Sequence, residues 1–201
     1  MSKKNGNEVP FYKRAGVYKK SGIMSLIGCV LMVAATFLYW MMLYVKTTAT
    51  DFSGLNIFMT CFRSLKGKVG FQAIISAVFL LLYYAVVILL AVIGIKDNIT
   101  KTEIFTKYKK RTRLGLVLGV IVLMILMTHI GSIGNAIGQY EGLRDNWTMF
   151  IKNCKDSGVP GADSMNCIYA VGPGFICFIV GVVLYIASII FSFMLDTLNE
   201  D

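Results

Sequence analysis

An all-α integral membrane protein, built as a four-transmembrane-helix bundle, is the fold class that the sequence predicts. Hydrophobic residues make up 56% of the chain and charged residues 15%, and the mean hydropathy is +0.68. The apolar residues fall into four long blocks without Asp, Glu, Lys or Arg, each reaching the roughly 20 residues that cross the hydrocarbon core as a helix. Residues 22–45, 71–95, 114–134 and 169–195 are the predicted spans, and together they define a membrane domain from 22 to 195.

The first block is interpreted as a retained helix and not as a signal peptide. It is too long for the apolar region of a signal, and it has no small-residue cleavage site. It ends instead in aromatic residues, including Phe37, Trp40 and Tyr44, which are typical of a membrane interface.

The distribution of Lys and Arg predicts the orientation. Thirteen of the 20 basic residues lie in the arm 1–21 and the loop 96–113, and the other seven lie in the loops 46–70 and 135–168. The positive-inside rule therefore predicts that both termini, including the acidic tail 196–201, lie in the cytoplasm. The membrane that we expect is the plasma membrane. The loops 46–70 and 135–168 are then the outer loops.

The net charge of +9 follows from this basic cytoplasmic side. Such a surface attracts the anionic lipids of the inner leaflet. Nucleic acid is not expected as a partner, because its recognition calls for aromatic residues interleaved on a folded basic surface.

Three of the five cysteines fall in the outer loops. Cys154 and Cys167 flank the Gly- and Pro-rich stretch "NCKDSGVPGADSMNC", and a disulfide between them would close about 13 residues and contribute roughly 3 kcal/mol. Pairing of Cys61 with either of them, or three reduced thiols, are the alternatives.

Each outer loop contains an apolar pattern of helical spacing. The patterns lie in residues 53–65 and 141–154, and they predict two short amphipathic helices. These helices could pack together as a cap over the bundle or lie flat in the headgroup region. The residues expected to recognise a partner on this cap are Leu143, Trp147, Phe150, Phe58 and Phe62.

His129 is the one ionisable residue inside the four predicted spans. With Ser132 and Asn135 it forms a polar patch near the outer end of the third span. A structural imidazole bonded to a neighbouring helix is the favoured interpretation, with a pH sensor or the lining of an outer cavity as alternatives. A metal site is not expected, because one His without further ligands at suitable spacing cannot coordinate an ion.

Small residues predict how the helices pack in lipid. We expect the third and fourth spans to pack tightly, with the first against them and the bulkier second facing more lipid. The same stripes could instead form contacts between copies. The packing residues are Gly115, Gly119, Gly131, Gly134, Gly174 and Gly181.

Catalytic signatures are missing from the sequence. It has no G-x-S-x-G, H-E-x-x-H, P-loop or dinucleotide-binding pattern. We therefore expect neither an enzyme nor a bound cofactor.

The layout of four spans with a larger, cysteine-bearing second outer loop resembles tetraspan membrane proteins in general. The claudin-type first loop has a Trp and two cysteines in a fixed pattern, whereas this first loop has only Cys61. No family motif ties the chain to one tetraspan family. The tetraspanin Cys-Cys-Gly motif is missing.

The leading functional hypothesis is a non-enzymatic accessory or scaffold subunit. Its outer loops would recognise another membrane or secreted protein, or a second copy of the chain in a homo-oligomer. The alternative is a subunit of an oligomeric channel or pore for ions or small solutes. A third option is a receptor that binds a lipid or small molecule in a cavity near His129.

Overall fold

The structure, a computed structural model, describes residues 11–66, 70–99 and 106–200. Parts of the predicted basic arm, the basic loop and the end of the acidic tail lie outside these described residues. The described helices are α1 (Phe11–Phe37), α2 (Ile57–Lys66), α3 (Phe71–Ile99), α4 (Thr106–His129), α5 (Gly131–Asp156) and α6 (Pro173–Glu200). The described strands are β1 (Tyr39–Lys46), β2 (Thr50–Asn56) and β3 (Asn166–Val171).

Four of the helices are long and apolar enough to cross a membrane, which confirms the prediction of four such helices. Their apolar segments are Lys20–Phe37, Phe71–Ile95, Arg111–His129 and Pro173–Ser192. The chain is mostly helical, and we describe it as membrane-embedded.

Helix α1 packs against both α6 and α3. A Cβ atom on Gly181 would lie 2.8 Å from the carbonyl oxygen of Gly28, so these glycines allow α1 and α6 to approach closely. The Tyr83 hydroxyl of α3 donates a hydrogen bond of 2.7 Å to the carbonyl oxygen of Met32 in α1. The closest packing of the last span is thus with the first span and not with the third, because Gly28 faces Gly181.

Three strands, which the sequence reasoning did not anticipate, form an antiparallel sheet in the order β2-β1-β3. Strands β1 and β2 follow α1 as a hairpin, and β3 precedes α6. Because β1 pairs with both other strands, the two predicted outer loops are joined in one folded unit. We name this unit, residues 39–66 and 131–171, the β-module; it contains the sheet with helices α2 and α5.

The first helix ends at Phe37, so the end of the predicted span 22–45 forms strand β1 instead. Residues 39–45 are aromatic, branched or Met and Leu, a composition that suits a strand. Leu43 and Val45 are buried and Tyr44 between them is exposed, which is the alternation of a half-buried strand. Periodicity alone did not separate this short apolar run from the helix before it.

A break after His129 separates α4 from α5, so the predicted span 114–134 contains parts of two helices. Gly131 has a φ of +82°, a left-handed conformation that favours glycine. The backbone N–H of Ser132 donates a hydrogen bond of 2.9 Å to the Ser76 hydroxyl of α3. Helix α5 then continues to Asp156 and includes the predicted helix at 141–154.

The packing of α1 on α6 predicts opposite effects for two glycine-to-alanine substitutions. Gly181→Ala places a Cβ against the backbone of Gly28 and should lower stability by about 1 to 3 kcal/mol, the usual cost of overpacking. Gly119→Ala meets no atom within 4 Å and should be neutral or stabilising by up to about 1 kcal/mol, through helix propensity.

Thermal unfolding of the two variants in the same detergent measures this difference. Equal melting temperatures for the two variants would contradict the described contact between α1 and α6.

Candidate functional site

Trp40 lies where α1 passes into β1 and β3 passes into α6. Its indole N–H donates a hydrogen bond of 2.6 Å to the carbonyl oxygen of Ala35. Its ring lies 5.6 Å from the ring of Phe175 and 5.6 Å from that of Phe178, between centroids. The carbonyl oxygen of Trp40 accepts a hydrogen bond of 2.8 Å from the backbone N–H of Gly172. A buried tryptophan whose N–H is satisfied thus ties the two junctions together.

Two glycines allow the α1–β1 junction and the β3–α6 junction to lie this close together. A Cβ atom on Gly172 would overlap the carbonyl oxygen of Tyr39, and one on Gly174 would lie 2.6 Å from the ring of Trp40. Gly174 was predicted as a helix-packing residue, and the structure places it against the end of α1 and the start of β1.

A partly open cavity of about 530 Å³ lies beside this junction, between the sheet, the α4–α5 break and the start of α6. Its volume is in the range of pockets that bind small molecules. Most of the lining is apolar and includes Trp40, Leu55, Ile137 and Phe175. The sheet and the helix break therefore form this site. Neither of them was predicted from the sequence, because the pattern of these segments indicates loops and a continuous span.

Polar groups on α4 and α5 also line the cavity. Among its lining residues Glu141 is the one carboxylate, and Thr128 and His129 lie at the end of α4. The Nδ1 atom of His129 lies 2.9 Å from the carbonyl oxygen of Ile125. Because a carbonyl oxygen only accepts, Nδ1 donates in this bond, and the same nitrogen lies 3.1 Å from the Thr128 hydroxyl.

Tyr169 of β3 also lines the cavity, and its hydroxyl is buried within the protein. Within the part of the chain that the structure describes, this oxygen is buried and has no hydrogen-bond partner. The Arg144 guanidinium lies 5.2 Å from the centroid of the Tyr169 ring. Burial raises the pKa of the Tyr169 hydroxyl, the charge of Glu141 raises it further and Arg144 lowers it. The hydroxyl therefore remains protonated at neutral pH.

A row of exposed apolar side chains crosses the solvent-exposed face of the sheet. Phe52, Tyr44 and Ile168 are directly opposite one another in the three strands, and their side chains are 46%, 37% and 51% exposed. The rings of Tyr44 and Phe52 have centroids 4.9 Å apart. Tyr39 extends the row, with its ring edge on Phe52 at 5.5 Å.

The three recognition residues that the sequence predicted on helix α5 differ in their exposure. Ile151 is buried, and Trp147 on the same face is half-buried. Leu143 and Phe150 flank this face and are 41% and 49% exposed. Trp147 meets the edge of the Phe150 ring at 5.7 Å.

Helix α2 contacts α3 and α5, and it buries Ile57 and Cys61. Phe58 is half-buried with its ring 4.6 Å from that of Phe37, whereas Phe62 is exposed and lies next to Lys66. The two helices expected to form a cap thus touch, and they expose different predicted residues.

The predicted polar patch does not form a single cluster. His129 bonds to its own helix and lines the cavity. Ser132 bonds to Ser76, and the Asn135 side-chain amide donates to the Gln72 side chain at the start of α3.

The remaining predicted packing glycines differ in their surroundings. A Cβ on Gly131 would meet Ser76 of α3, and one on Gly134 would meet the backbone at His129. Gly115 and Gly119 have no such neighbour within 4 Å.

The expected disulfide between Cys154 and Cys167 is not formed, and all five cysteines are free thiols. Cys154 lies in the last turn of α5, whereas Cys167 lies in β3 opposite Val45 of β1. Backbone pairing with β1, and not a covalent link, therefore fixes the end of this loop. Cys61 is 2% exposed within α2 and is also a free thiol, so the alternative pairing with Cys61 is not formed either.

Arg113 is a buried cation that the sequence reasoning assigned to the basic loop. Its side chain is 1% exposed. Its Nε donates to the Tyr185 hydroxyl at 3.3 Å, and its Nη2 donates to the Ser188 hydroxyl at 3.2 Å. Tyr185 in turn donates to the carbonyl oxygen of Leu90 at 2.8 Å. The cluster connects α4, α6 and α3 near the end of α4 that lies away from the β-module.

Two sequence signals pointed to features that the predictions missed. Tyr185 interrupts the row of small residues in the last span that includes Gly174 and Gly181. In the structure its hydroxyl accepts a hydrogen bond from Arg113. The aromatic and branched residues after Phe37 corresponded to a strand. No local signal in the sequence identified the cavity, because its walls come from distant segments.

The chain matches no protein-family model, no curated protein and no solved structure. Among the residues that the structure describes, no group of three or more His, Cys, Asp and Glu side chains is arranged to hold a metal ion.

The free thiols predict the result of maleimide labelling without reductant. Cys154 and Cys167, which are both partly exposed, should be labelled in the purified, folded protein. Cys61 should react much more slowly, because it is buried and burial raises the pKa of its thiol, which lowers the reactive thiolate fraction at neutral pH. Peptide mass spectrometry reads each site separately. A peptide pair joined through Cys154 and Cys167 in freshly purified protein would contradict this assignment.

Proposed function

We propose that the protein is a non-enzymatic multi-pass protein of the plasma membrane, an accessory or scaffold subunit that recognises another membrane or secreted protein. Both termini lie in the cytoplasm, and the β-module lies outside the cell. The observation that carries the proposal is the exposed apolar row on the sheet.

The orientation is supported by the charge distribution. The N-terminal arm and the 96–113 loop hold thirteen of the 20 Lys and Arg residues, and the positive-inside rule assigns such segments to the cytoplasm. The β-module connects the opposite ends of the four candidate spanning helices. Its exposed surface is then available to partners outside the cell.

The composition of the row supports a protein partner. Tyr44, Phe52 and Ile168 lie outside the four apolar spanning segments, so their exposure is not explained by contact with the hydrocarbon core. Aromatic side chains are enriched at the centres of protein interfaces. Charged residues border the row at the hairpin tip, where Lys46 and Asp51 are exposed, as the rim of an interface requires.

The predicted recognition residues on α5 supply a second contact region. Leu143 and Phe150 are exposed on a helix that carries charged residues between them. Such a helix is too polar to span the membrane. We assign these side chains to the periphery of the interface and the sheet row to its centre.

The alternative function, a subunit of an oligomeric channel, stays a prediction. It required stripes of small residues between copies, and Gly174 and Gly181 contact α1 within one molecule. Gly115 and Gly119 remain open on α4 and are the residues through which copies could still pack.

Removal of the aromatic pair tests the proposal. Tyr44→Ser with Phe52→Ser should reduce recovery of the partner about thirtyfold or more, because truncating an interface anchor costs about 2 kcal/mol or more. Cross-linking on intact cells, purification and quantitative mass spectrometry identify the partner with the wild-type chain. The purified pair then gives the affinity.

Met149→Ser is the matched control, since Met149 is 63% exposed and belongs to α5, not to a strand of the sheet. It should retain the partner. Equal recovery with all three chains would contradict the proposal, and a ring of identical subunits with measurable conductance would establish the channel alternative.

A further inference from the structure

We propose that the cavity beside Trp40 binds a small amphiphilic cation, with an apolar body and a protonated amine that donates hydrogen bonds. This site is separate from the exposed row on the sheet. The proposal therefore stands or fails independently of partner recognition.

The apolar part of the ligand follows from the lining. Trp40, Leu55, Ile137 and Phe175 present aromatic and branched surface, and a volume of about 530 Å³ accommodates a short alkyl chain or a small ring system. Burial of apolar surface in such a pocket supplies the main driving force for binding.

The amine follows from the polar groups, which offer acceptors. The Glu141 carboxylate accepts hydrogen bonds and carries a negative charge. His129 uses Nδ1 in its bond to the carbonyl oxygen of Ile125, which leaves Nε2 for other contacts. A ligand with several N–H donors and a positive charge satisfies this set, whereas a carboxylate ligand would face Glu141 unfavourably.

Arg144 is the nearby cation that could oppose this preference. Its guanidinium forms an ion pair of 2.8 Å with Asp145 and lies over the ring of Tyr169. It does not line the cavity, whereas Glu141 does. The charge of Glu141 acts on Arg144 less strongly than that of Asp145 does, so the carboxylate at the wall retains charge for a ligand.

Trp40 provides a direct probe of occupancy. The chain has two tryptophans, and Trp147→Phe leaves Trp40 as the one fluorophore of this type. We would reconstitute this variant in phosphatidylcholine nanodiscs and titrate it with bromodecylamine or bromodecanoate, whose bromine quenches indole fluorescence on contact. The two probes share a chain and differ in the charge and hydrogen bonding of the head group.

The amine should quench Trp40 at concentrations about tenfold or more below those of the carboxylate, since charge-assisted hydrogen bonds account for at least this difference. Adding Glu141→Gln should remove the preference. Asp156→Asn removes the same charge from an exposed position on α5 that does not line the cavity. It should leave the preference intact.

Thermal unfolding of each variant establishes that it is folded. Equal quenching by amine and carboxylate in the Trp147→Phe chain, or an unchanged preference after Glu141→Gln, would overturn the proposal.

Discussion

The close approach of two chain junctions, Tyr39 to Trp40 and Gly172 to Gly174, holds the sheet on the helix bundle. One junction leaves the first spanning helix and the other enters the last, and α1 and α6 also pack together through Gly28 and Gly181. The helix contact and the strand pairing therefore reinforce each other, because each fixes the distance that the other needs. Side chains larger than hydrogen at Gly172 would separate β3 from β1.

The cavity and the exposed row both depend on that pairing. β1 contributes Trp40 to the cavity and Tyr44 to the row, so one strand serves both surfaces. Helix α5 closes the cavity with Glu141 because the break at Gly131 turns it away from α4. Recognition of a protein partner and binding of a small cation would thus use different residues of the same strand.

The four apolar helices could be predicted from the sequence, because local composition and length determine whether a segment can cross a membrane. The sequence was insufficient for β1, whose residues are apolar like those of the preceding helix and whose conformation depends on pairing with distant strands. Arg113 was missed for a related reason: it borders the basic loop in sequence, yet Tyr185 and Ser188 of α6 bury it. The prediction of a disulfide between Cys154 and Cys167 was wrong, because pairing between strands closes this loop. The spacing between the two cysteines does not reveal that pairing.

Joining of the two loops in one sheet is the central claim, and the native Cys167 allows a direct measurement. Val45 is the β1 residue opposite Cys167, and paired antiparallel residues have Cα separations that a disulfide can span. In a Cys154→Ser background, mild oxidation of Val45→Cys should form an intramolecular bond to Cys167, detected by peptide mass spectrometry. Tyr44→Cys, on the other face of the strand, should not form it. Equal cross-linking at both positions, or at neither, would contradict the described sheet.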